Sequence, residues 1–200
     1  MHYKTNISNI LKDVELRQDP VIITVNEFTE EAARDFQAAM CAGHNSGQSI
    51  IPIQIDSYGG DVYALMSMVS SIKNSELPVA TIIQGKAMSC GAILASLGTK
   101  GHRYMDPDAT IMIHDVSSLS YGKIEDLKSS VRETERLQQK VFEMMSENCG
   151  KEKNYFTDLI HSKGRADWFL EAEEAINHGL VDHVRVPTLH IDITASIDLK

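Results

Sequence analysis

The chain has 200 residues, 42% hydrophobic and 24% charged, which predicts a single soluble globular domain with a sizeable core. A net charge of −9 argues against nucleic acid or an anionic membrane as the principal partner, since both favour basic surfaces. Cys41, Cys90 and Cys149 form no C-x-x-C pair, so they indicate neither a zinc site nor a redox motif and suit a reducing compartment. No signal peptide is evident, and no apolar run approaches the roughly 18 residues of a membrane span. A cytoplasmic location is the default reading.

Residues 1–20 are polar and mixed, and read as a loosely structured arm. Val21-Ile22-Ile23-Thr24-Val25 is rich in β-branched residues and reads as a buried strand. Thr29-Glu30-Glu31 is a helix start, with acids where the helix dipole favours them. Ala33, Phe36 and Met40 share one helical face, and Gly43 offers a stop. A second strand, Ile50 to Ile55, ends in Asp56-Ser57-Tyr58-Gly59-Gly60, and a helical pattern runs from about Asp61 to Lys73. A third strand, Pro78 to Ile83, breaks at Gly85 and leads to a small-residue helix from Ser89 to Ala95. A fourth, Ala109 to Ile113, ends at His114. This β-α-β-α-β-α-β order predicts a largely parallel sheet covered by helices.

Ile124, Leu127, Val131, Leu137, Val141 and Met144 lie at helical spacings between charged residues, which predicts one long amphipathic helix over about 123–149. Such a helix projects beyond a small domain or packs on a partner. Shorter helices are expected at about Glu152 to His161 and Glu171 to His178, with Gly179 as a stop, then a strand from Leu180 to Val186. From Leu189 to Leu199 apolar and polar residues alternate strictly, the pattern of a half-buried strand that pairs with this chain or a neighbour.

Four places carry candidate chemistry. In Gly85-Lys86-Ala87-Met88-Ser89-Cys90-Gly91 a strand turns on small residues and Ser89 opens a helix, as at a nucleophile elbow. The G-x-S-x-G form is not met, and a serine at a helix start is usually an N-cap. Gly59-Gly60 at a strand end suits backbone N–H groups that face a ligand, or a plain turn. His114 lies just past an apolar strand, where α/β folds gather active-site residues. It is a candidate general base or a structural histidine. The other histidines lie in polar or surface-like contexts without metal-ligand spacing. Asp167, beside Trp168, Phe169 and Leu170, is a carboxylate that is partly buried and partnered, or a turn residue.

In this order the segments Ile55 to Gly60, Gly85 to Gly91, Met112 to His114 and Asp167 to Asp182 resemble the Clp peptidase family. The resemblance covers roughly residues 21–186 and divides the chain into an arm (1–20), a ClpP-like peptidase domain (21–186) and a strand-like tail (187–200). It implies a ClpP/crotonase-like α/β fold, with the 123–149 helix as the handle that interleaves stacked rings. It implies a serine endopeptidase in which Ser89 is the nucleophile, His114 the base and Asp167 the residue that holds the imidazole. Backbone N–H groups of Gly60 and Cys90 would form the oxyanion hole. Partners implied are polypeptide substrates, copies of the same chain in two stacked seven-membered rings, and a separate AAA+ unfoldase. No cofactor or metal is implied, and no G-x-x-x-x-G-K-[ST] loop is present in this chain.

The chain departs from the family where Tyr58 replaces proline, Cys90 replaces methionine and Ala166 replaces a charged residue. Asp115-Val116-Ser117-Ser118 replaces a Gln-Pro and paired glycines after the histidine, and the arm is shorter than usual. Two other readings accompany the resemblance. One is a non-catalytic or partner-activated ring component, and the other a crotonase-type acyl-CoA enzyme, which needs no Ser-His-Asp set. A Ser/Lys mechanism through Lys86 has no physical support in the sequence.

Overall fold

The structure, a computed structural model, describes residues 20–164 and 166–189. The elements in chain order are β1 (Ile23–Val25), α1 (Glu30–Asn45), β2 (Ile51–Ser57), α2 (Val62–Lys73), β3 (Val79–Met88), α3 (Cys90–Ser96) and β4 (Arg103–Met105). They continue as β5 (Thr110–Ile113), α4 (Ile124–Asn148), α5 (Tyr155–Ser162), β6 (Trp168–Leu170), α6 (Ala172–His178) and β7 (His183–Val184). Strands β1-β2-β3-β4-β7 run parallel in that order. Ile51, Ile53 and Ile55 of β2 are fully buried, as in a parallel strand covered by helices. The expected α/β architecture is the observed one.

Local sequence explains most element ends. Thr29 accepts a hydrogen bond from the Ala32 N–H and starts α1, and Asp61 does the same for α2 through Ala64. Gly179 closes α6 in the left-handed conformation. Gly43, expected as a stop, lies inside α1 instead, buried where the helix presses on Ile51, and α1 ends at Ser46.

The strand expected to break at Gly85 runs on to Met88, and this changes the topology. Its first part pairs with β4 through Thr81–Ile83, and its last part pairs with β5 through Lys86–Met88. On its other side Ile55 opposes Ile83 while Ser57 opposes Ala87, so β3 carries two extra residues around Gly85. Such a bulge bends a strand and re-aims its end. The end of β3 thereby leaves the main sheet for a small one, β3-β5-β6, in which β6 runs antiparallel to β5. Neither β4 nor β6, each of three residues, was legible as a strand in the sequence. The strand expected from Leu180 to Val186 shrinks to His183–Val184.

Helix α4 has 25 residues, about 38 Å at 1.5 Å per residue. Its two halves differ. Leu137, Val141, Phe142 and Met145 are buried, whereas Ile124 and Val131 are 71% and 55% exposed. The N-terminal half is therefore much the more exposed, and Leu119 and Tyr121 before it are also exposed. The expected tail strand lies outside the described residues, apart from Leu189. No helix among the described residues is long and apolar enough to cross a membrane.

One buried ion pair ties the sheet's far edge. Arg103 on β4 reaches Asp182 through Nη2 at 2.6 Å and Nε at 2.9 Å, and its Nη1 donates to the carbonyls of Gly179 and Ser96. The Gly101 and Arg103 N–H groups complete the shell of the Asp182 carboxylate.

Candidate active site

The small sheet brings three chain ends together. Ser89 follows β3, His114 follows β5 and Asp167 precedes β6. The Ser89 N–H donates to the Met112 carbonyl at 2.8 Å, which sets the serine beside the end of β5. Ile113 opposes Trp168 in the antiparallel pair, so the next residues along, His114 and Asp167, fall opposite each other.

Ser89 has φ 53° and ψ −118°, and among the described residues no other non-glycine has a positive φ. That conformation is sparsely populated and costs about 1–3 kcal/mol. Its hydroxyl makes no cap bond to α3. It lies 2.9 Å from His114 Nε2 instead. With the imidazole proton on Nδ1, Nε2 accepts from the hydroxyl. The N-cap reading of Ser89 therefore does not hold.

The paired glycines are more than a turn. Gly59 has φ 103°, and a Cβ there would stand 2.7 Å from the Ser89 Cβ. Gly60 forms a bridge to Phe28, and a Cβ there would stand 2.6 Å from the Phe28 carbonyl oxygen. Only glycine lets this strand end approach the serine turn so closely. The Cys90 thiol, buried under it, donates to the Gly60 carbonyl at 3.3 Å, and burial pushes that thiol up to a pKa of about 11.

Asp167 is less enclosed than the sequence suggests. Its side chain is 57% exposed, and Oδ1 lies 3.6 Å from His114 Nδ1, beyond hydrogen-bond length. Trp168 anchors the neighbouring position: its Nε1–H donates to Glu174, its ring meets the edge of His178, and Lys163 lies over its face. His178 also contacts the Tyr155 hydroxyl at 2.7 Å, and burial lowers its pKa. His44 joins the Met40 carbonyl to Ser75. These two histidines are half-buried and structural, rather than surface-like.

Lys86 is engaged elsewhere. Its ammonium lies 2.6 Å from Asp56 and over the Tyr58 ring, and the Asp56 hydrogen bond holds its pKa above the ordinary lysine value. An amine so held is no base for Ser89.

Gln138 of α4 was invisible to sequence reasoning. Its Oε1 accepts from the Val116 N–H and its Nε2 donates to Asp115, each at 2.9 Å, so α4 holds the segment after His114. A glutamine among charged helix residues gives no local sign of that role. Tyr63 of α2 donates to Glu133 of α4 at 2.6 Å, and Arg136 binds the same carboxylate, whose pKa these hydrogen bonds lower to about 2.

The sheet sets a serine hydroxyl against an imidazole, an arrangement that serine hydrolase chemistry can use. The Clp protease family model matches residues 5–188, and the chain belongs to that family. It is 28% identical over 176 residues, 87% of each chain, to ATP-dependent Clp protease proteolytic subunit 1 of Leifsonia xyli subsp. xyli (strain CTCB07). It is thus a ClpP-like serine peptidase subunit, and the acyl-CoA reading falls away.

Proposed function

We propose that Ser89 is the nucleophile of this peptidase, His114 its general base and Asp167 the carboxylate that orients the imidazole. The observation that carries this assignment is the 2.9 Å approach of His114 Nε2 to a serine hydroxyl that caps no helix. Ser89 Oγ attacks the peptide carbonyl as its proton passes to Nε2, and the C–N bond then breaks as Nε2 returns the proton to the amine. Water, deprotonated by the same imidazole, releases the acyl group. The N–H groups of Gly60 and Cys90 donate to the oxyanion. Support for that role is that both lie against Ser89 and that the Cys90 thiol ties the two residues together.

The substrates are unfolded polypeptides. Residues 21–186 form the peptidase body, residues 1–20 an arm and residues 187–200 a tail. The chain assembles as two stacked seven-membered rings and works with an AAA+ unfoldase. Support comes from the exposed apolar edge of Leu119, Tyr121, Ile124 and Val131, and from the words "ATP-dependent" in the relative's name. A cytoplasmic setting suits three unpaired thiols. The 3.6 Å gap at Asp167 favours a site that tightens on assembly or on partner binding.

The test is covalent labelling. A small fluorophosphonate should modify Ser89, located by peptide mass spectrometry, and His114→Ala should abolish the adduct. Absence of labelling in folded, assembled protein would point instead to a non-catalytic ring component.

A further inference from the structure

We propose that His178 is a positioning residue for the active site: its imidazole holds the Trp168 side chain beside Asp167, and taking up a proton loosens that hold and slows the peptidase. The inference rests on Asp167 facing His114 as the orienting carboxylate of the triad. Trp168 is 5% exposed, follows Asp167 directly and pairs with Ile113, the residue before His114. The seat of Trp168 therefore sets how the Asp167 carboxylate meets the His114 imidazole, at 3.6 Å between Oδ1 and Nδ1.

Glu174, His178 and Lys163 hold the Trp168 ring. Glu174 Oε1 accepts its Nε1–H at 3.1 Å, the His178 ring meets it at right angles with 4.8 Å between centroids, and the Lys163 ammonium lies 4.7 Å from the ring centre. His178 Nε2 lies 3.8 Å from that same Glu174 oxygen, and Nδ1 lies 2.7 Å from the Tyr155 hydroxyl. A carboxylate only accepts, so the ring proton belongs on Nε2, and Nδ1 accepts from Tyr155. Among the described residues, the titratable and charged groups facing His178 are Glu174 of α6 itself, Tyr155 of α5, Lys151 between α4 and α5, and Lys163 just after α5.

Burial disfavours a charge on His178, Glu174 favours one and the two lysines oppose it, so the pKa lies below the ordinary histidine value. The ring is neutral at neutral pH and takes up its proton in mild acid. That proton goes to Nδ1, so the Tyr155 hydroxyl must turn from donor to acceptor. The new charge draws Glu174 Oε1 away from the Trp168 Nε1–H and repels Lys163 from the Trp168 face. The holds on Trp168 change together, and the start of β6, with Asp167, is freed to shift.

The chain has a single tryptophan, so its fluorescence reads this cluster directly. The experiment follows emission, and the rate of Ser89 modification by a small fluorophosphonate, in the full chain from about pH 8 to about pH 5, the span in which histidine titrates. His178→Gln is the comparison: its amide accepts from Tyr155 and donates towards Glu174 but takes up no proton. Emission should show a transition with its midpoint below about pH 6.5 in the wild type and in His114→Ala, and none in His178→Gln. Each labelling rate is divided by the same protein's rate at the alkaline end. Across the span the wild type should lose about tenfold more of its rate than His178→Gln, within the ~10²-fold that an ångström-scale misplacement costs. If the glutamine variant does not fold, His178→Phe keeps a ring against Trp168 and gives the same comparison. No transition in the wild type would overturn the proposal. So would a transition that survives the loss of His178, or superimposable rate profiles for wild type and variant. Failure to label Ser89 at any pH, or wild-type labelling of Asp167→Asn, would instead overturn the triad on which the proposal rests.

Discussion

Gly59 lies so close to Ser89 that a methyl group on it would stand 2.7 Å from the serine Cβ and 3.0 Å from the Met88 carbonyl oxygen. Its φ of 103° is one that alanine adopts only under strain. Gly59→Ala is therefore expected to displace the serine turn. Fluorophosphonate labelling of Ser89 should slow by about 10²-fold, the effect of an ångström-scale misplacement. Labelling at the wild-type rate would show that the approach is not needed.

The Asp167 carboxylate reaches His114 Nδ1 only to 3.6 Å, so its role rests on the imidazole it faces. Asp167→Asn should lower kcat by about 10² to 10⁴-fold by favouring the wrong tautomer, with little change in thermal stability because the side chain is exposed. Steady-state peptidase kinetics check this, and unchanged activity would remove Asp167 from the site.

Asp182 and Arg103 predict a pH dependence. Burial alone would raise the Asp182 pKa. Hydrogen bonds from the Arg103 guanidinium, its charge and two backbone N–H groups outweigh burial and hold the pKa below the ordinary aspartate value. A lowered native pKa means that the unfolded chain takes up the proton first as pH falls. The pair's contribution is thus intact above about pH 3.9 and is lost as pH drops below it through the native value. At neutral pH Asp182→Asn should cost about 3–5 kcal/mol, because it leaves Arg103 buried without its counter-charge. The Tm gap between wild type and variant should narrow below about pH 4. A constant gap down to about pH 3 would contradict the linkage.

Ser146, buried in α4, has a hydroxyl oxygen with no hydrogen-bond partner, the sole such side chain among the described residues. Ser146→Ala removes an unsatisfied polar group and should stabilise the fold by roughly 1 kcal/mol. That is a Tm rise of about 2–4 °C for a chain of this size, readable by calorimetry. A loss of stability would reveal a partner for the hydroxyl.

Cys90 adjoins Ser89 yet is inert by its surroundings. Burial pushes both Cys90 and Cys149 up to a pKa of about 11, whereas Cys41 is exposed. Only the thiolate reacts, so iodoacetamide at neutral pH should label Cys41 and spare the other two, with Ser89 labelling unaffected. Alkylation of Cys90 in folded protein would show that the turn opens.

The legible parts of the sequence were local ones. The buried isoleucines of β2, the Thr29 cap, the Gly179 stop and the long stripe of α4 each declare themselves within a few residues. Short elements did not. Arg103–Met105 and Trp168–Leu170 are strands because they lie against β3 and β5, and three residues carry no periodicity of their own. Gly85 reads as a breaker, yet neighbours on both sides hold β3 together through a bulge there.

The sequence by itself determined the α/β class, the order of the strand ends and the identity of Ser89, His114 and Asp167 as candidates. Patterning, capping and turn chemistry act between near neighbours and are written in residue types. Only the tertiary structure decided that the Ser89 hydroxyl meets an imidazole 25 residues away, that Asp167 stays largely exposed, and that Phe142 of α4 lines the cavity beside Ser89 and His114. Those distances depend on strand register and on which helix covers which strand end. Both are set by the burial of the whole core, so no single segment encodes them.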